Sequence, residues 1–411
     1  MAEEREVAIT GLGAVTPLGR DVPTLWEALT AGRSAIGPIT AFDASAYPCR
    51  IAGEVPDYAP HPGLAPQQAA RLDRGALFAV DAALQALADS ALPLTPQNAV
   101  RVGLVLGCAR PGETAVWEGQ RAFHQKGPAG LSAGYIARTL PNAAAAQAAA
   151  VLGVRGPAIA VSAGGASGSA ALALAAAMVR RGDVEVAFAG GADAPITPSA
   201  LAAFCAMGVL TKRNDEPARA CRPFDADADG FALSEGAAVL VLEHEALARE
   251  RGARCYARLA GAASITEPGA FVPSAPEAGR AIQAALREPA LLQGEIDYFC
   301  AYGSGTPALD MMETAAIKRI FGEVTASKLT ISAPKSMLGH LLGASGAIEA
   351  IVCAKAIETG VIPPTINLDH PAEGCDLDYT PKEALKQPVR HALSYAYGFG
   401  GHHVALCFSA P

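Results

Sequence analysis

The chain has 411 residues, 51% of them hydrophobic, and 32 Lys and Arg against 40 Asp and Glu give a net charge of -8. A chain of this length can bury a large core as one large or two fused domains. No Lys/Arg stripe with interleaved aromatics appears, so nucleic acid is not an expected partner.

In chain order, Met1-Ala-Glu-Glu-Arg-Glu runs straight into an apolar strand. It lacks the basic start and long apolar stretch of a secretory signal, so a cytoplasmic location is expected. Apolar runs read as buried strands at Val7 to Thr10, Arg101 to Leu106, Ala158 to Val161, Val184 to Ala189 and Ala237 to Leu242. Ala-rich stretches at Ala69 to Ala88 and Ser169 to Arg181 read as helices between them. Runs such as Ala170 to Val179 are too short for a bilayer, which takes about 20 apolar residues, so no membrane is expected. Past about residue 250 the pattern restarts. Strands are expected at Tyr256 to Ala263, Tyr298 to Tyr302, Leu329 to Ser332 and Val404 to Phe408. Helices are expected at Glu277 to Leu286, Met311 to Ile320 and Ala344 to Glu358. Strands alternating with helices predict an α/β architecture in two halves of similar plan, residues 1–250 and 251–411.

Nine cysteines are scattered without C-x-x-C spacing, which argues against zinc and against a disulfide framework. Arg222-Pro-Phe-Asp-Ala-Asp-Ala-Asp-Gly-Phe resembles part of a calcium loop, but the flanking helices are missing and a polar turn is the better reading. No metal and no cofactor is expected.

The strand Ala158 to Val161 is followed by Ser162-Ala-Gly-Gly-Ala-Ser-Gly-Ser and an Ala/Leu-rich helix. Such a small-residue turn can lift one side chain to a helix N-terminus, where N–H groups favour a thiolate or an oxyanion. It can equally be a tight turn that needs glycine for close packing.

Other blocks bear on that choice. They are Tyr302-Gly-Ser-Gly-Thr-Pro, Lys335-Ser-Met-Leu-Gly-His-Leu-Leu-Gly-Ala-Ser-Gly-Ala-Ile-Glu and Ser394-Tyr-Ala-Tyr-Gly-Phe-Gly-Gly, with Thr211-Lys-Arg-Asn-Asp and Pro363-Pro-Thr-Ile-Asn-Leu-Asp. Together, from about Val7 to about Phe408, they resemble the β-ketoacyl-acyl-carrier-protein synthases, type II elongating enzymes in particular. The resemblance implies a thiolase fold, with two related halves in a five-layered αβαβα arrangement, and dimers. It also implies a site of one Cys and two His: the Cys holds the growing chain as a thioester, and the histidines assist decarboxylation of malonyl carrier protein.

Matched residue by residue, Gly165 falls at the Cys position and Tyr302 at the first His. His340 matches the second His, Lys335 the ordering Lys, Glu349 the acid of the following helix, and Phe399 the gating Phe. The N–H groups of Gly165 and Phe399 would form the oxyanion hole. Ser167 lies about 200° around the helix from Gly165 and is expected to cap its start, with Ser169 no better placed. Cys108 and Cys205 are expected to be buried structural thiols, and His340 alone is read equally as packing or residual function. The docking stretch before the helix carries Arg71 alone, although Lys212 and Arg213 remain.

The expectation is therefore a subunit similar to a chain length factor: a ketosynthase-like chain without the Cys, paired as a heterodimer with an active ketosynthase in polyketide, polyene or fatty-acid-like elongation, and meeting acyl carrier protein through that partner. Trp117, Phe123, Tyr135 and Ile136 are the candidates for reaching the partner's pocket, or else core residues. The alternatives are a malonyl carrier protein decarboxylase, a residual β-ketoacyl synthase, or a synthase inactivated by engineering.

Overall fold

The computed structural model describes residues 6–269 and 272–411; the opening residues 1–5, read above for a signal, lie outside them. Ten strands form one sheet. In the first half these are β1 (Val7–Val15), β2 (Val102–Gly107), β3 (Ala158–Val161), β4 (Val186–Asp193) and β5 (Gly236–His244). In the second they are β6 (Ala257–Thr266), β7 (Tyr298–Cys300), β8 (Thr330–Ser332), β9 (His391–Gly398) and β10 (His402–Ser409). Nine lie on the expected runs, but β3, expected to be buried, is exposed at Ala158 and half-buried from Ile159 to Val161, because it is an edge strand. The tenth, β9, was not expected as a strand, because Ser394 and His391 interrupt its apolar run, yet Ser394 is fully buried with its neighbours.

The two halves repeat one topology. Across the sheet the first half runs β1-β5-β4-β2-β3 and the second β6-β10-β9-β7-β8, with β1 beside β6 at the junction. The directions repeat as well. β1–β5 and β5–β4 are antiparallel while β4–β2 and β2–β3 are parallel, and the second half follows the same sequence of pairings. The repeat is thus in the path of the chain, where no self-similarity is legible in residues.

Helices complete five layers. α1 (Arg74–Ser90), α2 (Glu113–Lys126), α3 (Tyr135–Thr139) and α4 (Ala143–Leu152) belong to the first half, and α1 and α4 cover its outer face. α5 (Ser167–Arg181) and, from the second half, α8 (Ser345–Thr359) pack against each other between the two parts of the sheet. α6 (Ala275–Arg287) and α7 (Pro307–Ala326) cover the other outer face. A helix apolar on every side belongs inside, and eleven of the 15 residues of α8 are buried. Each of Ile348, Ile351 and Val352 on it contributes about 1.5–3 kcal/mol by leaving water.

The central helices meet through small residues. A β-carbon on Gly346 would lie 2.0 Å from the Ser169 hydroxyl, so glycine there permits the close approach. The start of α5 and the loop before α8 are thereby brought to one place, each at the mouth of its own half.

Candidate active site

Three segments converge. The first is the turn from β3 into α5. Gly164 takes a φ of +55°, a conformation glycine adopts without strain. Ser167 is the first residue of the helix, and its hydroxyl accepts from the Ala163 N–H at 2.9 Å and donates to the Gly164 carbonyl at 2.6 Å. It therefore staples the turn before the helix, and its oxygen is not presented as a nucleophile. Ser169 is buried against α8.

The second segment follows β7. The Tyr302 and Gly303 N–H groups donate to the Glu313 carboxylate at 2.7 and 2.9 Å. Asp310 accepts from Ser304, Gly305 and, across from another loop, Phe224. Two acids of the first turns of α7 thus shape the loop that presents Tyr302. Burial pushes Asp310 up to about 7 and Glu313 up to about 8. Neither acid was singled out from sequence; the available signal was a pair of carboxylates three apart in the first turns of a helix, among Ala, Leu and Met.

The third segment carries Lys335 and His340. Lys335 and Glu349 form a buried ion pair, and the Lys335 ammonium donates to the Tyr302 carbonyl at 2.7 Å while lying 4.3 Å from the centre of its ring. Burial raises Glu349 even against the attraction of Lys335. Burial, and then the Lys335 charge, hold His340 well below the ordinary imidazole value. Its Nδ1 accepts from the Leu342 N–H at 3.0 Å, and its Nε2 is 2.9 Å from the Tyr302 hydroxyl. Burial, and then the nearby Glu349 charge, raise Tyr302 well above the ordinary phenol range.

The structure thus brings Gly165, Tyr302, Lys335, His340 and Glu349 together, with Phe399 at the rim. A β-carbon on Gly165 would stand 3.5 Å from His340 Nε2, and one on Gly164 would stand 3.0 Å from the Phe399 nitrogen. Phe399 lies on the tight turn between β9 and β10, where Gly401 has a φ of +83° and no room for a side chain against Glu267. A third acid missed from sequence, Asp193 at the end of β4, accepts from Ala109, Arg110 and Gly343 and so ties the loop behind His340 to the first half.

Cys108 is buried, and burial raises its thiol, while Cys205 is only half-buried, a correction that follows from its place on a surface helix, Pro198–Met207. Asp225 of the calcium-like segment accepts from the N–H groups of Asp227, Asp369 and His370 and pairs with Arg222, which makes it a tie between loops. Among the described residues no cluster of His, Cys, Asp and Glu fits a metal ion, and no helix is long and apolar enough to cross a membrane. Trp117, Phe123, Tyr135 and Ile136 do not form one core group. Phe123 is 47% and Ile136 64% exposed, Tyr135 packs its ring on Gly119, and Trp117 lines an open cleft of about 840 Å³. Arg71 and Lys212 are exposed, whereas Arg213 is tied to the Asp227 carbonyl at 2.9 Å.

Residues 4–248 match the β-ketoacyl synthase N-terminal domain and residues 256–369 the C-terminal domain. The chain belongs to the β-ketoacyl synthase family. This family member is 41% identical over 412 residues to the 3-oxoacyl-[acyl-carrier-protein] synthase 2 of Synechocystis, covering 99% of this chain and 98% of that protein. Its fold is the thiolase-like ketosynthase fold. It superposes on a β-ketoacyl synthase from Burkholderia phymatum with a TM-score of 0.92 at 31% identity, covering 99% of this chain and 100% of that one. It superposes equally well on a chain of the ishigamide ketosynthase/chain length factor, with a TM-score of 0.91 at 32% identity and full coverage of both.

Proposed function

We propose that the chain is a non-condensing, ketosynthase-like subunit, akin to a chain length factor, that works as a heterodimer with an active ketosynthase. The observation that carries this is Gly165 at the elbow, where among the described residues the nearest neighbours of an added β-carbon are the Tyr397 carbonyl and the His340 ring, with no thiol or hydroxyl. The Ser167 hydroxyl is bonded into the turn, and Cys108 is buried with its thiol raised. In this reading Gly165 and Tyr302 are the vacated nucleophile and first-histidine positions, and Lys335 and Glu349 persist as structural supports. In the same reading Gly165 and Phe399 stand at the family's oxyanion positions, with no thioester to serve. The halves 1–250 and 251–411 remain the natural division.

Two features support pairing with another chain. β3 is one of the two outer strands of the sheet, and its Ala158 is exposed. Close along the chain, α2 and α3 and the loops after them present Phe123, Leu131, Ile136 and Leu140, each at least 38% exposed. Exposed apolar groups on one stretch of chain suit a face that a partner covers. Acyl carrier protein would then be met through the partner, whose family enzymes include the 3-oxoacyl-[acyl-carrier-protein] synthases. The neighbour described as a ketosynthase/chain length factor supports the same reading for this chain.

Co-expression with a ketosynthase tests the reading. A stable one-to-one complex is expected, together with no acyl adduct on this chain by intact mass after incubation with carrier protein loaded with an acyl thioester. A homodimer that becomes acylated and condenses by itself would sink it.

A further inference from the structure

We propose that Tyr302 is a positioning residue that silences His340. The inference rests on the reading above, in which His340 survives from the family's histidine pair. The Leu342 N–H can only donate, so Nδ1 of His340 is the unprotonated nitrogen and the ring proton sits on Nε2. That proton is donated to the Tyr302 hydroxyl oxygen at 2.9 Å. Nε2 is also the ring nitrogen near the elbow, 3.5 Å from where a side chain on residue 165 would begin. The donor that would face a thioester at the elbow is therefore already engaged.

Neither partner can readily turn away. The Phe231 ring flanks His340 with centroids 4.8 Å apart. Tyr302 is held by its N–H on Glu313, by Lys335 on its carbonyl and over its ring, and by the Tyr397 ring at 6.3 Å. Both residues are at least 95% buried, so water does not compete for the bond.

The reaction being silenced is loss of carbon dioxide from a malonyl thioester. The bond between the carboxylate and C2 breaks, and its electron pair passes into the thioester as an enolate. The enolate takes a proton from solvent to give the acetyl thioester. An N–H donor on the thioester oxygen stabilises the enolate, and a donor occupied by Tyr302 does not.

Tyr302→Phe tests this in the full-length chain, because it keeps the ring and removes the hydroxyl. With malonyl carrier protein as the probe, carbon dioxide release should rise at least about tenfold over the parent, a change of about 1.4 kcal/mol in barrier. The gain should vanish in the Tyr302→Phe/His340→Gln double variant. In a ¹⁵N-histidine spectrum, the Nε2–H signal of His340 should move when the hydroxyl is removed, a change that a purely structural tyrosine would not produce. Tyr302→His is the second variant, should the first fail to fold, and it too should release carbon dioxide. A folded variant whose release stays at the parent's level, or whose His340 signal does not move, overturns the proposal. Acylation of the parent by carrier protein loaded with an acyl thioester would instead overturn the non-condensing reading, so the two failures are separable.

Discussion

Replacing Gly165 with Cys restores the residue type that the family's chemistry needs, and the surroundings predict that it will fit badly. The new β-carbon would lie 2.8 Å from the Tyr397 carbonyl oxygen and 3.3 Å from His340 Cε1. The first is a backbone atom in a buried strand and cannot swing aside. Overpacking of this kind costs about 1–3 kcal/mol. Gly165 is not among the residues with positive φ, so loss of glycine's freedom in the unfolded chain offsets about 0.4–1 kcal/mol of that. Taking the middle of each range leaves a net cost of about 1.3 kcal/mol. At about 2.1 cal/mol/K per residue, a chain of 411 residues has an unfolding entropy near 0.9 kcal/mol/K, so the melting temperature should fall by about 1–2 °C. Calorimetry on Gly165→Cys and Gly165→Ala reads the shift, and iodoacetamide with intact mass reads the thiol. The Cys variant should be destabilised and should not condense acyl groups. A Cys variant as stable as the parent that accepts an acyl chain would refute the packing argument.

Glu349→Leu leaves the Lys335 ammonium buried without its partner and should cost about 3–5 kcal/mol in denaturant unfolding, whereas adding Lys335→Met should recover much of it; a single variant within about 1 kcal/mol of the parent would contradict this. The raised carboxyls of Asp310 and Glu313 hold protons in the folded chain that the unfolded chain has released. On their account stability falls as pH rises from about 4 to about 8. His340, depressed in the fold, acts oppositely, losing stability as pH falls below about 6.5. Between those limits, from about pH 6.5 to 8, Glu313→Gln should flatten the decline in melting temperature, and an unchanged slope would count against it. Phe123→Asp and Ile136→Asp change exposed positions, so the fold should keep its stability within about 0.5 kcal/mol while co-purification with a ketosynthase drops sharply. Retention of the complex in both would exclude that face.

Much of the frame was legible in the residues, because buried strands here are short apolar runs and the helices between them are Ala-rich. β9 escaped because polar Ser394 is buried inside it, which only the packing on both faces explains. The site was legible as four separate blocks, each with its own spacing. What no block contains is the contact between them. The Tyr302–His340 bond joins residues 38 apart on opposite sides of α7 and β8, and its meaning depends on which nitrogen the Leu342 N–H occupies. The Tyr397 carbonyl beside Gly165 is likewise a product of the second half closing on the first. Exposure of Phe123 and Ile136 was equally beyond reach, since an apolar residue on a helix reads the same whether it faces a core or solvent.

The position of β3 at the sheet's margin has a consequence for how such a subunit chooses company. A marginal strand offers amides and carbonyls, and these are identical in every chain, so a copy and a distant cousin are equally welcome there. Discrimination must then be carried by the flanking side chains. On the proposed pairing, substitutions around the exposed Phe123 and Ile136 would change the choice of partner with the backbone left untouched.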